Sequence, residues 1–144
     1  GDSIPLYQKM KLTDKIKFVK AVAPTAGSPG TMTATEVNAT GFNSVLFCIE
    51  VGAMTNTATL DAYVQSATTS GGTFANTSGA ALTQVADTGG GKIYTIDMPV
   101  DKDRAFLKLI IVTTTAAAVN GATALLYNAR LEPVTQTTGE SIVV

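Results

Sequence analysis

Residues 57–65 read Thr-Ala-Thr-Leu-Asp-Ala-Tyr-Val-Gln, and the alternation in them is unbroken. Ala58, Leu60, Ala62 and Val64 fall on one side, Thr59, Asp61, Tyr63 and Gln65 on the other. Successive side chains of a strand point to opposite faces, so this stretch predicts a half-buried strand. Upstream, Gly41 to Val51 is the most apolar run of the chain. Val45, Phe47, Ile49 and Val51 share one face there, with Phe42, Leu46 and Cys48 on the other, which predicts a strand buried on both faces or nearly so.

The same period extends outward in both directions. From Asp14, Ile16, Phe18 and Val22 form one face and Lys15 and Lys17 the other. Residues 23–30 (APTAGSPG) are a turn cluster, and 31–37 (TMTATEV) reads as an edge-like strand. After a turn at 52–56 and the strand above, residues 66–79 read as a long small-residue loop with one aromatic, Phe74. A short strand is expected at 80–86, then a loop whose run Gly89-Gly90-Gly91 suits a hairpin connection needing positive φ. Strands follow at 92–98 and 104–113, a turn at 114–121 and a last strand at 122–131. That makes about eight short strands with regular turn signals and no helical segment to serve as a parallel crossover. The predicted fold is all-β, an antiparallel two-sheet sandwich of jelly-roll type over 14–134. Extended arms are expected at 1–13 and 135–144.

Composition agrees. The chain has 144 residues, enough for one domain with a real core. Only 15% are charged, well below the usual quarter, and 23 are threonine. Threonine is β-branched yet water-compatible, so it suits exposed strand faces. A surface this short of charge also favours self-association. The charge is uneven: Lys9, Lys11, Lys15, Lys17 and Lys20 are half of the ten cations, opposed in the first twenty residues only by Asp2 and Asp14. With arginine scarce and Tyr7 the only aromatic before Phe18, these lysines read as a solvated strand face or a contact for an acidic protein, not as a nucleic-acid site. No stretch approaches the ~18 apolar residues of a membrane span. Lys9 to Lys20 is too polar for a secretory leader, and a start at Gly1 is what a cytoplasmic product that lost its initiator methionine would show.

Chemistry is sparse. There is no histidine, which removes the commonest general base and metal ligand. Cys48, the single cysteine, excludes an internal disulfide and reads as a small buried thiol. The carboxylates that remain for acid–base work, Glu36, Glu50, Asp61, Asp97, Asp101 and Asp103, all sit where solvated surface is the simplest account. Asp101-Lys102-Asp103 offers too few oxygens for calcium, and the glycine run lacks the Lys-Ser/Thr and helix of a phosphate loop. Asn38-Ala39-Thr40 and Asn76-Thr77-Ser78 match glycosylation acceptors by chance in a Thr-rich chain. The expectation is a non-enzyme without cofactor, metal or small-molecule substrate. What stands out instead are apolar hooks at both ends. Ile4, Pro5, Leu6 and Tyr7, with Lys9 and Lys11, lie in the first arm, and Ile142, Val143 and Val144 close the chain. These nine are the expected contact residues, and both ends are expected to be held by a partner.

Three stretches carry a resemblance. They are Gly41-Phe42-Asn43-Ser44-Val45-Leu46-Phe47 leading to Val51-Gly52-Ala53-Met54-Thr55, then Leu60 to Gln65 with the loop Gly71 to Phe74, and Arg104 to Leu109 with the closing Leu125 to Pro133. Together they resemble the capsid decoration, or cement, proteins of bacteriophages. In the second loop this chain has Gly71-Gly72 and Phe74 where such proteins often carry Asp-Gly and a tryptophan. The resemblance implies a β-sandwich, often trimeric with exchanged arms, that sits on the outside of an icosahedral shell. It would bind the major capsid protein through its base and termini, and would be made in the host cytoplasm. Two other readings are weighed beside it: a phage tail or other virion component, and a carbohydrate-binding β-sandwich. The second is disfavoured by the absence of tryptophan and an aromatic content of 6%.

Overall fold

The computed structural model describes residues 11–25, 28–136 and 139. They form nine strands: β1 (Lys17–Val22), β2 (Gly30–Thr31), β3 (Val37–Asn38), β4 (Phe42–Met54), β5 (Thr59–Ala67), β6 (Ala75–Ala81), β7 (Ile93–Pro99), β8 (Phe106–Thr114) and β9 (Ala117–Ala129). One sheet has the order β1-β9-β4-β7. The other has β8 between β5 and a broken edge made of β2 and β3, with β6 outside β5. Every pairing is antiparallel. The pairs are nested: β1 with β9, then β2 and β3 with β8, then β4 with β7, and innermost β5 with β6. A long hairpin rolled up in this way is a jelly roll, so the expected fold class is the one observed.

The core is the space between the two sheets. Val45, Phe47, Ile49 and Val51 of β4 point into it, as do Leu60, Ala62 and Val64 of β5, all as the alternation predicts. Leu107, Leu109 and Ile111 of β8 and Leu126 of β9 complete it. Each side chain of this size contributes about 1.5–3 kcal/mol when fully removed from water. Between the strands the connections gather at two ends. Segments 39–41, 68–74 and 100–105 lie at one, together with the stretches that lead into β1 and out of β9. Segments 23–25, 28–29, 55–58, 82–92 and 115–116 lie at the other. Arg104 ties the first end together, its guanidinium donating to Ser66 Oγ at 3.0 Å and to the Ser66 carbonyl at 2.6 Å.

Several expectations are corrected. The first strand starts at Lys17, after a 3₁₀ turn at Leu12–Asp14, so the arm predicted as 1–13 ends in folded chain. Its register places Phe18 opposite Leu125 on the outer face and Lys17 opposite the buried Leu126 on the inner one, the reverse of the alternation read from Ile16, Phe18 and Val22. The cause is a register shift between Lys20 and Val22: one extra residue reverses the phase, so Val19 and Val22 both pack inward. The predicted strand 31–37 is two short strands flanking residues that pair little with β8. Half of the loop predicted at 66–79 is strand, because β5 runs to Ala67 and β6 begins at Ala75, and of the strand expected at 80–86 only Ala80 and Ala81 belong to β6. Gly89–Gly91 do not close a hairpin but cross from the second sheet to the first, with Gly91 at φ 74°. Finally, the turn predicted at 114–121 shrinks to Thr115-Ala116, and β9 takes up the rest.

Candidate docking site

Both termini of the described chain meet at one end of the sandwich. In the 3₁₀ turn, the Lys11 amide donates to Asp14 Oδ2 at 2.9 Å and the Asp14 amide to the Lys11 carbonyl at 2.9 Å. Leaving β9, the chain passes back along this turn: the Arg130 amide donates to the Gly41 carbonyl and the Val134 amide to the Asp14 carbonyl, each at 2.8 Å. Gln136 then acts as a clasp. Its Nε2 donates to the carbonyls of Thr13, at 2.8 Å, and Ile16, while its Oε1 accepts from the Phe18 amide at 3.2 Å. β1 is an edge strand, and an open edge invites pairing with foreign chains. One side chain here satisfies main-chain groups on the open side of the β1 stretch, and blunts that part of the edge.

Apolar side chains stand exposed in the stretches on either side of this clasp. Leu12 is 63% exposed and Leu131 87%, and among the described residues the third large exposed apolar side chain, Ile93 at 64%, is on β7. Two grooves open beside them. One of about 390 Å³ runs between Lys17, Phe42 and Pro133. The other, of about 820 Å³, follows β1 past Phe18, Val22 and Pro24 to Gln136 and Gly139. Exposed Lys11, Lys15, Arg130 and Glu132, with Asp101, Lys102 and Asp103 from the β7–β8 connection, add charge of both signs.

Of the expected contact residues, Lys11 lies at this end, exposed and opening the 3₁₀ turn. Ile4, Pro5, Leu6, Tyr7, Lys9, Ile142, Val143 and Val144 lie outside the described residues. Sequence reasoning missed Leu12, Leu131 and Gln136. A leucine before Glu-Pro and a glutamine inside a run of threonines carry no periodic signal, and their places depend on strands far away in sequence.

The carboxylates are scattered, and Glu36, Asp61, Asp97 and Asp101 each take a local partner. Glu36 accepts from Ser70 Oγ at 2.6 Å and from the Gly71 amide at 2.7 Å, latching the β5–β6 connection to β3, and these bonds hold its pKa below the usual carboxylate value. Asp61 accepts from Gln84 at 2.9 Å, and Asp101 from the Asp103 amide at 2.9 Å, a turn bond. Asp97 accepts from the Tyr127 hydroxyl across β4, which raises the tyrosine pKa because a phenolate there would face the carboxylate. Among the described residues no three His, Cys, Asp or Glu side chains gather where they could hold a metal ion. No described helix is long and apolar enough to cross a membrane. Cys48, expected to be buried, is half-buried on the outer face of the first sheet, because even-numbered positions of β4 from Ser44 to Glu50 point outward. No protein-family description and no curated protein sequence matches this chain.

Proposed function

We propose that this chain is a virion structural protein that binds the outside of an icosahedral phage capsid and stabilises it, acting as a self-associated unit of three copies with exchanged arms. One observation carries the reading: Gln136 clasps the stretch that follows β9 to the stretch that leads into β1, and Leu12 and Leu131 stand exposed in those same two stretches. A body whose two end segments are tied together in this way can seat that part of its surface on a shell. An extended segment that orders on its partner spends conformational entropy then, yet covers a large surface. It can also add main-chain hydrogen bonds by pairing with a sheet edge. The chemistry of the rest fits adhesion, since Glu36, Asp61, Asp97 and Asp101 are engaged singly in holding loops and strands.

The test is to mix the protein with undecorated capsids and count bound copies by cryo-EM. Saturable density on the outer shell is the expected result. Density on the tail, or no saturable binding, overturns the proposal. Within a binding protein, removal of residues 1–10 or the pair Leu12→Asp and Leu131→Asp is expected to weaken binding at least tenfold with the body still folded. Unchanged affinity in both would mean that another surface docks.

A further inference from the structure

The outer face of the β1-β9-β4-β7 sheet carries an apolar strip. In one row across the strands stand Phe18, Leu125, Leu46 and Asp97. In the next stand Lys20, Thr123, Cys48 and Thr95. Phe18, Leu125, Leu46 and Cys48 are all half-buried, and among the described residues no third layer lies over the sheet. The charges divide by side. Lys20, on β1, makes no hydrogen bond or ion pair with another described residue, and Asp97, on β7, accepts the Tyr127 hydroxyl. The outer face of the other sheet differs. Its apolar Tyr63, Ile110 and Val112 are interrupted by Asp61, engaged with Gln84, and by Lys108, whose ammonium lies 4.4 Å from the centre of the Phe74 ring.

We infer that copies of this chain meet through the outer face of the β1-β9-β4-β7 sheet, the cationic β1 half of one against the anionic β7 half of the next. The inference rests on the self-association in the reading above and names its surface. Strands lie ~4.8 Å apart, so β1 and β7 are each about 7 Å from a midline between β9 and β4. A rotation axis along the strands carries one half of the face onto the other and keeps each residue's height. Leu125 of one copy then approaches Leu46 of the next. Lys20 reaches toward Asp97 one row away, ~7 Å along the strand and within the span of a lysine side chain. An axis across the strands would instead set Lys20 against Lys20. For two copies the contact is isologous; for three, the number the resemblance implies, it is heterologous and closes a ring. Either way the end that carries the 3₁₀ turn points in the same direction in every copy. A single base then gathers the exposed Leu12 and Leu131 of all copies, and their binding is multiplied by avidity.

Sedimentation equilibrium on the full chain tests this. The wild type is expected to be a dimer or trimer. Leu46→Lys and Leu125→Lys are each expected to raise the dissociation constant at least tenfold, while Ile110→Lys, on the other sheet, leaves it within twofold. Lys20→Asp and Asp97→Lys are each expected to weaken association, and the double variant to recover to within threefold of wild type. The charge variants decide the matter if a lysine in the strip unfolds the protein, as read by circular dichroism. A monomeric wild type overturns the inference. So does loss of association in Ile110→Lys with retention in Leu46→Lys, or a double charge swap that recovers nothing. Capsid binding is scored separately: a wild type that associates without binding capsids sinks the capsid reading and leaves this one standing.

Discussion

Replacing Gln136 by alanine isolates the clasp from everything else in the fold. The substitution removes three hydrogen bonds, to the Thr13 and Ile16 carbonyls and from the Phe18 amide, and touches no side chain of the core. Each such bond contributes about 0.5–1.5 kcal/mol net. The site is only part-buried, so water replaces some of what is lost, and a total near 2 kcal/mol is expected rather than the full sum. For a domain of this size that corresponds to a fall in Tm of roughly 4–8 °C. It also corresponds to a rise of about 30-fold in the opening equilibrium of the segment leading into β1. Hydrogen exchange should therefore accelerate at the Phe18 amide while the amides of β4 and β5 change only with global stability. Protein concentration must be held fixed, because association shifts apparent stability by mass action. Gln136→Glu sharpens the experiment: it keeps the shape but loses both donations and sets a carboxylate against two carbonyl oxygens. It should be worse than alanine at pH 7, and because the facing carbonyls raise its folded pKa, it should recover as the pH falls toward the ordinary carboxylate range. Wild-type exchange at Phe18 in the alanine variant would refute the clasp outright.

The remaining predictions concern titration and reactivity. Glu36 has a pKa below its ordinary 4.5 because the Gly71 amide and Ser70 hydroxyl bond its charged form. Its contribution is therefore present above that value and is lost as pH falls through the lower folded pKa. Melting between pH 3 and 6 should show an acid limb that Glu36→Gln flattens; an unchanged limb would remove the latch from the account. Tyr127 has a pKa above 10.0, chiefly through its bond to Asp97, so its contribution holds below that value and fades as pH rises through the folded pKa. In an ultraviolet titration one phenol should ionise late, and Asp97→Asn should bring it back toward the others. Cys48, half-buried on the strip, should react with a thiol reagent more slowly in the associated protein than in Leu125→Lys, whereas equal rates would place the contact elsewhere.

The parts of the fold that could be read from the sequence are those where burial alone fixes the pattern. Strands β4 and β5 have one dry face each, so the period of two appears in their residues without help. Where a bulge intervenes, the same logic misleads: Phe18 shares a parity with Val22 only along an unbroken strand, and the chain shifts register between them. The sequence places the strand of this region too late, at 80–86, because an edge strand of Ala, Asn, Thr, Ser and Gly buries almost nothing except Ala80. The first half of β9 was hidden for a different reason. There β4 and β9 approach so closely that a Cβ at Gly52 would meet Asn120 Oδ1 at 3.0 Å and Ala118 Cβ at 3.2 Å, so the chain uses small residues that read as a turn. The candidate site was legible only as a tendency of the chain ends to be apolar. Its organiser, Gln136, acts on backbone 118 positions away, a relation that no local pattern encodes.

The nesting of the strand pairs has a consequence for synthesis. β5 and β6 are neighbours in the chain and can pair early, but β1 must wait for β9, and the clasp for Gln136 beyond it. Closing so large a loop is entropically slow, and contacts of such long range form late in folding. Until β9 has been made, Phe18 therefore has neither Leu125 beside it nor a closed edge, and the strip shared by β1, β9, β4 and β7 does not yet exist. The sheet face and the clasp come into being together, once β9 and Gln136 are both available. A chain cut short before β9 presents neither, so only copies that carry both have the means to assemble.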